Sequence, residues 1–109
     1  MVTTMAMKND LLQFTERECP EPVEGHYFIY ILECNDKSFY CGSTKDIRKR
    51  IQTHLSKRGS LWTLKRLPVK LVYYEEYASL LLARKRENQI KGWTRNKKIN
   101  LILGIWSKL

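Results

Sequence analysis

Two aromatic, β-branched runs separated by turn chemistry leave residues 27–41 little choice of local fold. Tyr27 to Leu32 reads YFIYIL and Ser38 to Cys41 reads SFYC. Both suit a pleated, half-buried surface, and Asn35-Asp36-Lys37 between them favours a turn. The pattern predicts an antiparallel β-hairpin. With its turn centred on Asn35, facing positions sum to 70, which sets Tyr30 opposite Tyr40 on one face of the sheet. Taken alone, such a pair is an ordinary cross-strand aromatic contact.

Gly42 ends the second run, and Ser43 followed by Asp46 has the form of a helix N-cap close to a capping box. The helix this predicts, about 44–57, carries Ile47, Ile51 and Leu55 inward, with Arg50 and His54 one turn apart on an adjacent face. Lys45, Arg48, Lys49, Lys57 and Arg58 make the rest of it positive, and Gly59 is a stop signal. Trp62, in the basic connection that follows, could pack on the core or stack on a base, and core packing is the expected role.

VKLVYYEEY, residues 69–77, predicts a third strand, and Ser79 then caps a helix ending at a C′ glycine, Gly92. Leu80, Ala83, Glu87 and Ile90 share one stripe of that helix. A carboxylate on an inward stripe is seldom left unpaired, because burying its charge is costly. A salt bridge and a metal ligand are both open for Glu87. Thr94 caps a last helix, RNKKINLILGIW, expected to pack back on the sheet.

The order of elements predicts an α+β fold, a three-stranded antiparallel β-sheet flanked by about three helices. It occupies residues 26–109, after a polar tail or linker over 1–25 that contains Pro20 and Pro22. At 109 residues a single core is the norm. Twenty Lys+Arg against 11 Asp+Glu give a net charge of +9, which favours a polyanionic partner, nucleic acid before an anionic membrane surface. No apolar run approaches the roughly 20 residues of a membrane span, and the N-terminus lacks a signal-peptide pattern, so a cytoplasmic protein with no membrane partner is expected. Cys19, Cys34 and Cys41 show no CxxC spacing and read as three reduced thiols.

The ordered set of these features resembles the GIY-YIG nuclease domain. Phe28-Ile29-Tyr30 stands where the first triplet would be and Tyr40-Cys41-Gly42 where the second would be. The match continues through Ser43-Thr44, Ile47, Arg50, His54 and the segment ARKRENQIKGWTRNKK, covering roughly residues 27–102. The short hairpin and the Glu-x-x-Ile-Lys segment most resemble the small stand-alone bacterial members. Phe28 replaces the first glycine and Cys41 the isoleucine, and neither change removes a group the chemistry needs. Asn100 lies near the place of an asparagine common in the family.

The resemblance implies a divalent-metal-dependent endonuclease that hydrolyses DNA phosphodiester bonds, structure-selective or weakly sequence-specific. RNA is the other polyanion the charge admits. Its catalytic set would be Tyr30, Tyr40, Arg50, His54 and Glu87, with Glu87 holding a single Mg²⁺ or Mn²⁺ ion. Tyr30 is the implied general base, Tyr40 would orient water or phosphate, and Arg50 would grip the scissile phosphate. A phenol with a pKa of about 10 needs nearby positive charge to serve as a base, and Arg50 is expected to supply it. Lys45, Arg48, Lys49, Lys65, Arg66, Lys97 and Lys98 would bind backbone phosphates without reading sequence. The alternative is a catalytically weak nucleic-acid-binding module on the same fold. For an active site, the five catalytic side chains are expected to converge on one concave, positive face.

Overall fold

A computed structural model of the chain describes residues 19–56 and 64–104. Expectations for the tail before residue 19 and for Lys57, Arg58, Gly59 and Trp62 lie outside the described residues. Within them the order is β1 (Tyr27–Cys34), β2 (Phe39–Thr44), α1 (Ile47–Leu55), β3 (Val69–Tyr77), α2 (Leu80–Lys91) and α3 (Arg95–Leu103). The three strands form one antiparallel sheet in the order β2-β1-β3, an α+β fold as the sequence predicts.

The hairpin forms, but its register differs from the predicted one. Tyr30 faces Gly42 and Leu32 faces Tyr40, so facing positions sum to 72. The cause is a three-residue loop: the Lys37 amide donates to the Cys34 carbonyl, Lys37 takes a φ of 70°, and the Cys34 amide closes onto the Ser38 carbonyl. The turn is therefore centred on Asp36. A shift of two residues keeps every side chain on its face, so Tyr30 and Tyr40 remain on the same side, diagonal rather than opposed.

Strand β1 is buried on both faces. Phe28, Tyr30, Leu32 and Cys34 pack with Ile47, Val69 and Leu71 beneath α1, whereas Ile29 and Ile31 pack with Cys41, Val72, Ala83 and Ile90 beneath α2. Strand β3 changes its own alternation. Ile31 pairs with Tyr73 but Leu32 with Leu71, a β-bulge that leaves Val72 between them. Without it Tyr73, Glu75 and Tyr77 would continue on the face of Val69 and Leu71. The bulge carries Tyr73 and Tyr77 into the cluster beneath α2, and Glu75 with them.

Helix α1 also starts later than the sequence suggests. Ser43 and Thr44 belong to β2, and Asp46 is the N-cap, accepting from the Lys49 amide at 3.2 Å. Its inward row is Ile47, Ile51 and His54 (i, i+4, i+7), while Leu55 is 47% exposed. Ser79 and Thr94 cap α2 and α3 as predicted, through Leu82 and Lys97 amides. Gly92 ends α2 in ordinary right-handed geometry. Gly104 provides the left-handed stop, for α3, so that helix ends at Leu103. Glu33 is buried at the hairpin end of β1, with the Lys70 ammonium 3.4 Å from Oε1 across the strand pair. Among the described residues no helix is long and apolar enough to cross a membrane.

Candidate active site

The tyrosine half of the site is built by β1, β2 and α1. Tyr30 projects from the central strand and is fully buried. Its ring centroid lies 6.3 Å from that of Tyr40 and 6.4 Å from that of His54, and the Tyr40 and His54 rings meet edge-on at 5.2 Å. The Tyr30 hydroxyl is 3.4 Å from His54 Nε2. Gly42 makes room for this phenol: a Cβ there would lie 2.6 Å from Tyr30 Oη. Because His54 stands at i+7 on the inward row of α1, it is buried against the two tyrosines, and Arg50 one turn earlier remains exposed at the helix edge.

The electrostatics run opposite to the expectation for Tyr30. Burial, and then the neighbouring Tyr40, push its phenol far above the ordinary range; the charge and hydrogen bond of Arg50 act the other way and lose, and Glu87 adds to the rise. The reason is that desolvating a phenolate completely outweighs one partly solvated guanidinium. Tyr30 therefore holds its proton at neutral pH. His54 is moved down, by burial first and Arg50 second, so its imidazole is neutral there.

The carboxylate half comes from the other side of the sheet. Helix α2 packs on the Ile29 and Ile31 face, opposite α1, and the Glu87 charge still acts on Tyr30. Glu87 reaches the edge strand β2, where the Ser43 hydroxyl donates to Glu87 Oε1 at 2.7 Å. Lys91 Nζ stands 2.6 Å from the other oxygen, Oε2. The two halves thus meet across adjacent residues of one edge strand: Gly42 above Tyr30, and Ser43 on Glu87. Cys41, just before them, has its thiol pushed up to about 12 by burial and then by the Glu87 charge, with Lys91 and Lys98 opposing.

Four further side chains tie α2 to β3, and spacing alone gave no sign of them. Arg86 grips Glu75 through two hydrogen bonds, of 2.9 and 3.0 Å. Tyr73 and Tyr77 donate to the same carboxylate, each at 2.5 Å. Burial alone would raise the Glu75 pKa, but these donors together hold it below the usual carboxylate value. The β3 bulge makes this clamp, one residue before Glu87.

The expected phosphate-binding residues divide. Lys98 extends its charge to Cys41 beside the site. Lys97 lies 4.5 Å from the centroid of Trp93, whose ring also receives Arg86 at 5.2 Å. Lys45 lies 5.7 Å from the Tyr27 ring, and Lys49 and Lys65 are exposed. Arg48 turns to the Cys19 carbonyl and Arg66 to Asp36 at the hairpin loop, at 3.4 and 3.1 Å, so both guanidinia serve the fold. Asn100 is half-buried on α3.

The sequence of the chain is similar to that of known proteins. The model of the GIY-YIG catalytic domain matches residues 26–100. A UPF0213 protein of Bacillus pumilus is 47% identical over 74 residues, covering 68% of this chain and 74% of that protein. A UPF0213 protein of Staphylococcus aureus is 45% identical over 76 residues, covering 70% and 93% respectively. The solution NMR structure of a UPF0213 protein from Bacillus halodurans aligns with 71% of this chain and 82% of its own, at 38% identity and a TM-score of 0.47.

Proposed function

Since the chain belongs to the GIY-YIG catalytic-domain family, we propose that it is a divalent-metal-dependent endonuclease hydrolysing DNA phosphodiester bonds, structure-selective or weakly sequence-specific. The observation that carries this reading is the junction at Gly42 and Ser43. There an arginine, two tyrosines and a neutral histidine are separated from an anchored carboxylate only by the rim of an edge strand. A phosphodiester lying along that rim reaches both halves.

Among the described residues no group of three or more His, Cys, Asp or Glu side chains is placed to hold a metal ion, and the carboxylate this reading assigns to a cation is Glu87. That donor set fits a hard ion that keeps most of its waters, as Mg²⁺ or Mn²⁺ does, and does not fit one that needs a closed cage. Bound at Glu87, such an ion would supply positive charge against the phosphate oxygens and the leaving oxygen.

The chain's own groups do the rest. Arg50 is exposed at the end of the tyrosine cluster and binds the scissile phosphate through its planar fork. Tyr40 is the more accessible tyrosine and orients the attacking water. Tyr30 starts as a neutral phenol that donates to His54, in the tautomer that leaves Nε2 unprotonated. A proton passed from water to Tyr30 moves on to His54, which is held neutral and ready to accept it. Lys45, Lys49, Lys65, Lys97 and Lys98 bind flanking phosphates, with Arg48 and Arg66 contributing through any donors their fold contacts leave open.

One observation favours the second reading, a nucleic-acid-binding module with little turnover: the Tyr30 phenol is sealed from solvent and raised in pKa. The two readings separate on a panel of branched, flapped, single-stranded and plain duplex DNA, incubated with Mg²⁺ or EDTA. The proposal expects Mg²⁺-dependent cleavage, lost in Glu87→Ala and Arg50→Ala. Cleavage that survives EDTA and both substitutions overturns the mechanism. Binding without cleavage across the panel selects the module.

A further inference from the structure

Both oxygens of Glu87 are occupied, one by a strand hydroxyl and the other by an exposed lysine. Ser43 holds Oε1 from the edge strand, a tertiary contact that fixes the carboxylate in place. Lys91 holds Oε2 from one turn along the same helix, and the Lys91 side chain is 49% exposed while that of Glu87 is 15% exposed. The carboxylate is anchored and the ammonium is not. An exposed i, i+4 pair of this kind is weak, because solvent screens it and holding a long lysine costs rotamer entropy. Lys91 and Ser43 of β2 share the one carboxylate, and the Lys91 charge also acts on Tyr40 and Cys41 of that strand. The ammonium therefore stands where a cation would meet Glu87, within reach of the phosphate site.

We propose that Lys91 is a further catalytic residue, exchanged between two anions: it neutralises Glu87 in the resting site, and moves to a non-bridging oxygen of the scissile phosphate when a divalent ion takes Oε2. This inference rests on the metal-dependent reading of Glu87. It accounts for how a carboxylate can be held oriented at the edge of a sheet before any metal arrives. It also gives the transition state a second protein cation, opposite Arg50.

The exchange predicts effects of opposite sign on metal affinity and on rate. Mn²⁺ binding is read from the electron paramagnetic resonance signal of the unbound ion, for the wild type, Lys91→Met and Glu87→Gln. Removing the competing ammonium in Lys91→Met should tighten Mn²⁺ by about three- to tenfold. Losing the phosphate contact should lower the cleavage rate constant by about ten- to a hundredfold. Lys91→Arg, which keeps the charge, should retain wild-type Mn²⁺ affinity and recover part of the rate. Lys91→Met that binds Mn²⁺ no more tightly than the wild type, or cleaves at the wild-type rate, overturns the role of Lys91 and leaves the Glu87 reading standing. Mn²⁺ binding unaltered by Glu87→Gln overturns the metal reading itself.

Discussion

An alanine at position 42 is the most demanding small perturbation of this site. Its Cβ would stand 2.6 Å from Tyr30 Oη, 2.7 Å from Cζ and 3.1 Å from Cε2. Non-bonded carbon contacts are comfortable near ~3.5–4.0 Å, so about 1 Å of overlap has to be relieved. The backbone at Gly42 is not left-handed, so the effect is one of packing. Tyr30 is fully buried, with the Tyr40 and His54 rings on its flank. The phenol therefore moves only by displacing them. Overpacking of this kind costs about 1–3 kcal/mol, and the usual gain from replacing glycine applies only where alanine fits without strain. A net loss of about 2 kcal/mol corresponds to a fall in Tm of roughly 8–15 °C for a domain of this size. Cleavage should fall about a hundredfold, since a shift of about 1 Å in a reacting group costs that much. In a Tyr30→Phe background the Cζ contact at 2.7 Å remains, so most of the stability loss should persist. Differential scanning fluorimetry and single-turnover cleavage measure the two effects. Gly42→Ala melting within about 1 °C of the wild type and cutting at the wild-type rate would refute the placement of Tyr30 beneath Gly42.

Three further outcomes are expected. The pKa of His54 is lower in the folded chain than the ordinary imidazole value of 6.5, so its neutral form contributes stability that is present above that pH and lost as pH falls through the folded value. The wild type should lose more Tm than His54→Gln between pH 7.5 and 5, and equal losses contradict a buried neutral imidazole. Asp46→Ala should cost about 1 kcal/mol of stability as a lost N-cap and leave the cleavage rate nearly unchanged, whereas Ser43→Ala should slow cleavage about tenfold by freeing Glu87; a rate lost in Asp46→Ala and kept in Ser43→Ala would contradict the anchoring of Glu87 by Ser43. Arg86→Ala removes the two-pronged grip on Glu75 and should cost about 1–3 kcal/mol, together with a loss of rate from a less firmly placed Glu87. A rate unchanged despite that destabilisation would separate the clamp from the site.

Much of the fold is written locally. Strand β3 begins and ends where VKLVYYEEY does, and Ser79 and Thr94 cap the helices they precede. The hairpin register was not legible because its loop depends on a lysine with positive φ, a conformation that usually announces itself through glycine or asparagine. Ser43 satisfies the local rules for a cap, but β2 continues through it because pairing with Ile29 extends the ladder. That continuation is what frees its hydroxyl for Glu87.

The candidate site was legible as a set of residues and not as an arrangement. Spacing places Glu87 on the inward stripe of its helix, and the sequence holds no sign of which face that helix will cover. The bulge at Val72 is equally silent, although it decides that Glu75 turns toward Arg86. The Tyr30 pKa depends on the balance between burial and Arg50, and only the folded chain sets that balance.

The central claim is that Arg50 and Glu87, carried by helices on opposite faces of the sheet, act as one site across its edge strand. Single-turnover cleavage of a branched DNA in Mg²⁺ by the wild type, Arg50→Ala, Glu87→Ala and the double variant tests it most directly. Groups acting as a unit are strongly non-additive, so the double variant should cleave no more slowly than the worse single one. Losses that multiply would mean two independent contributions, and would contradict a single site assembled across β2.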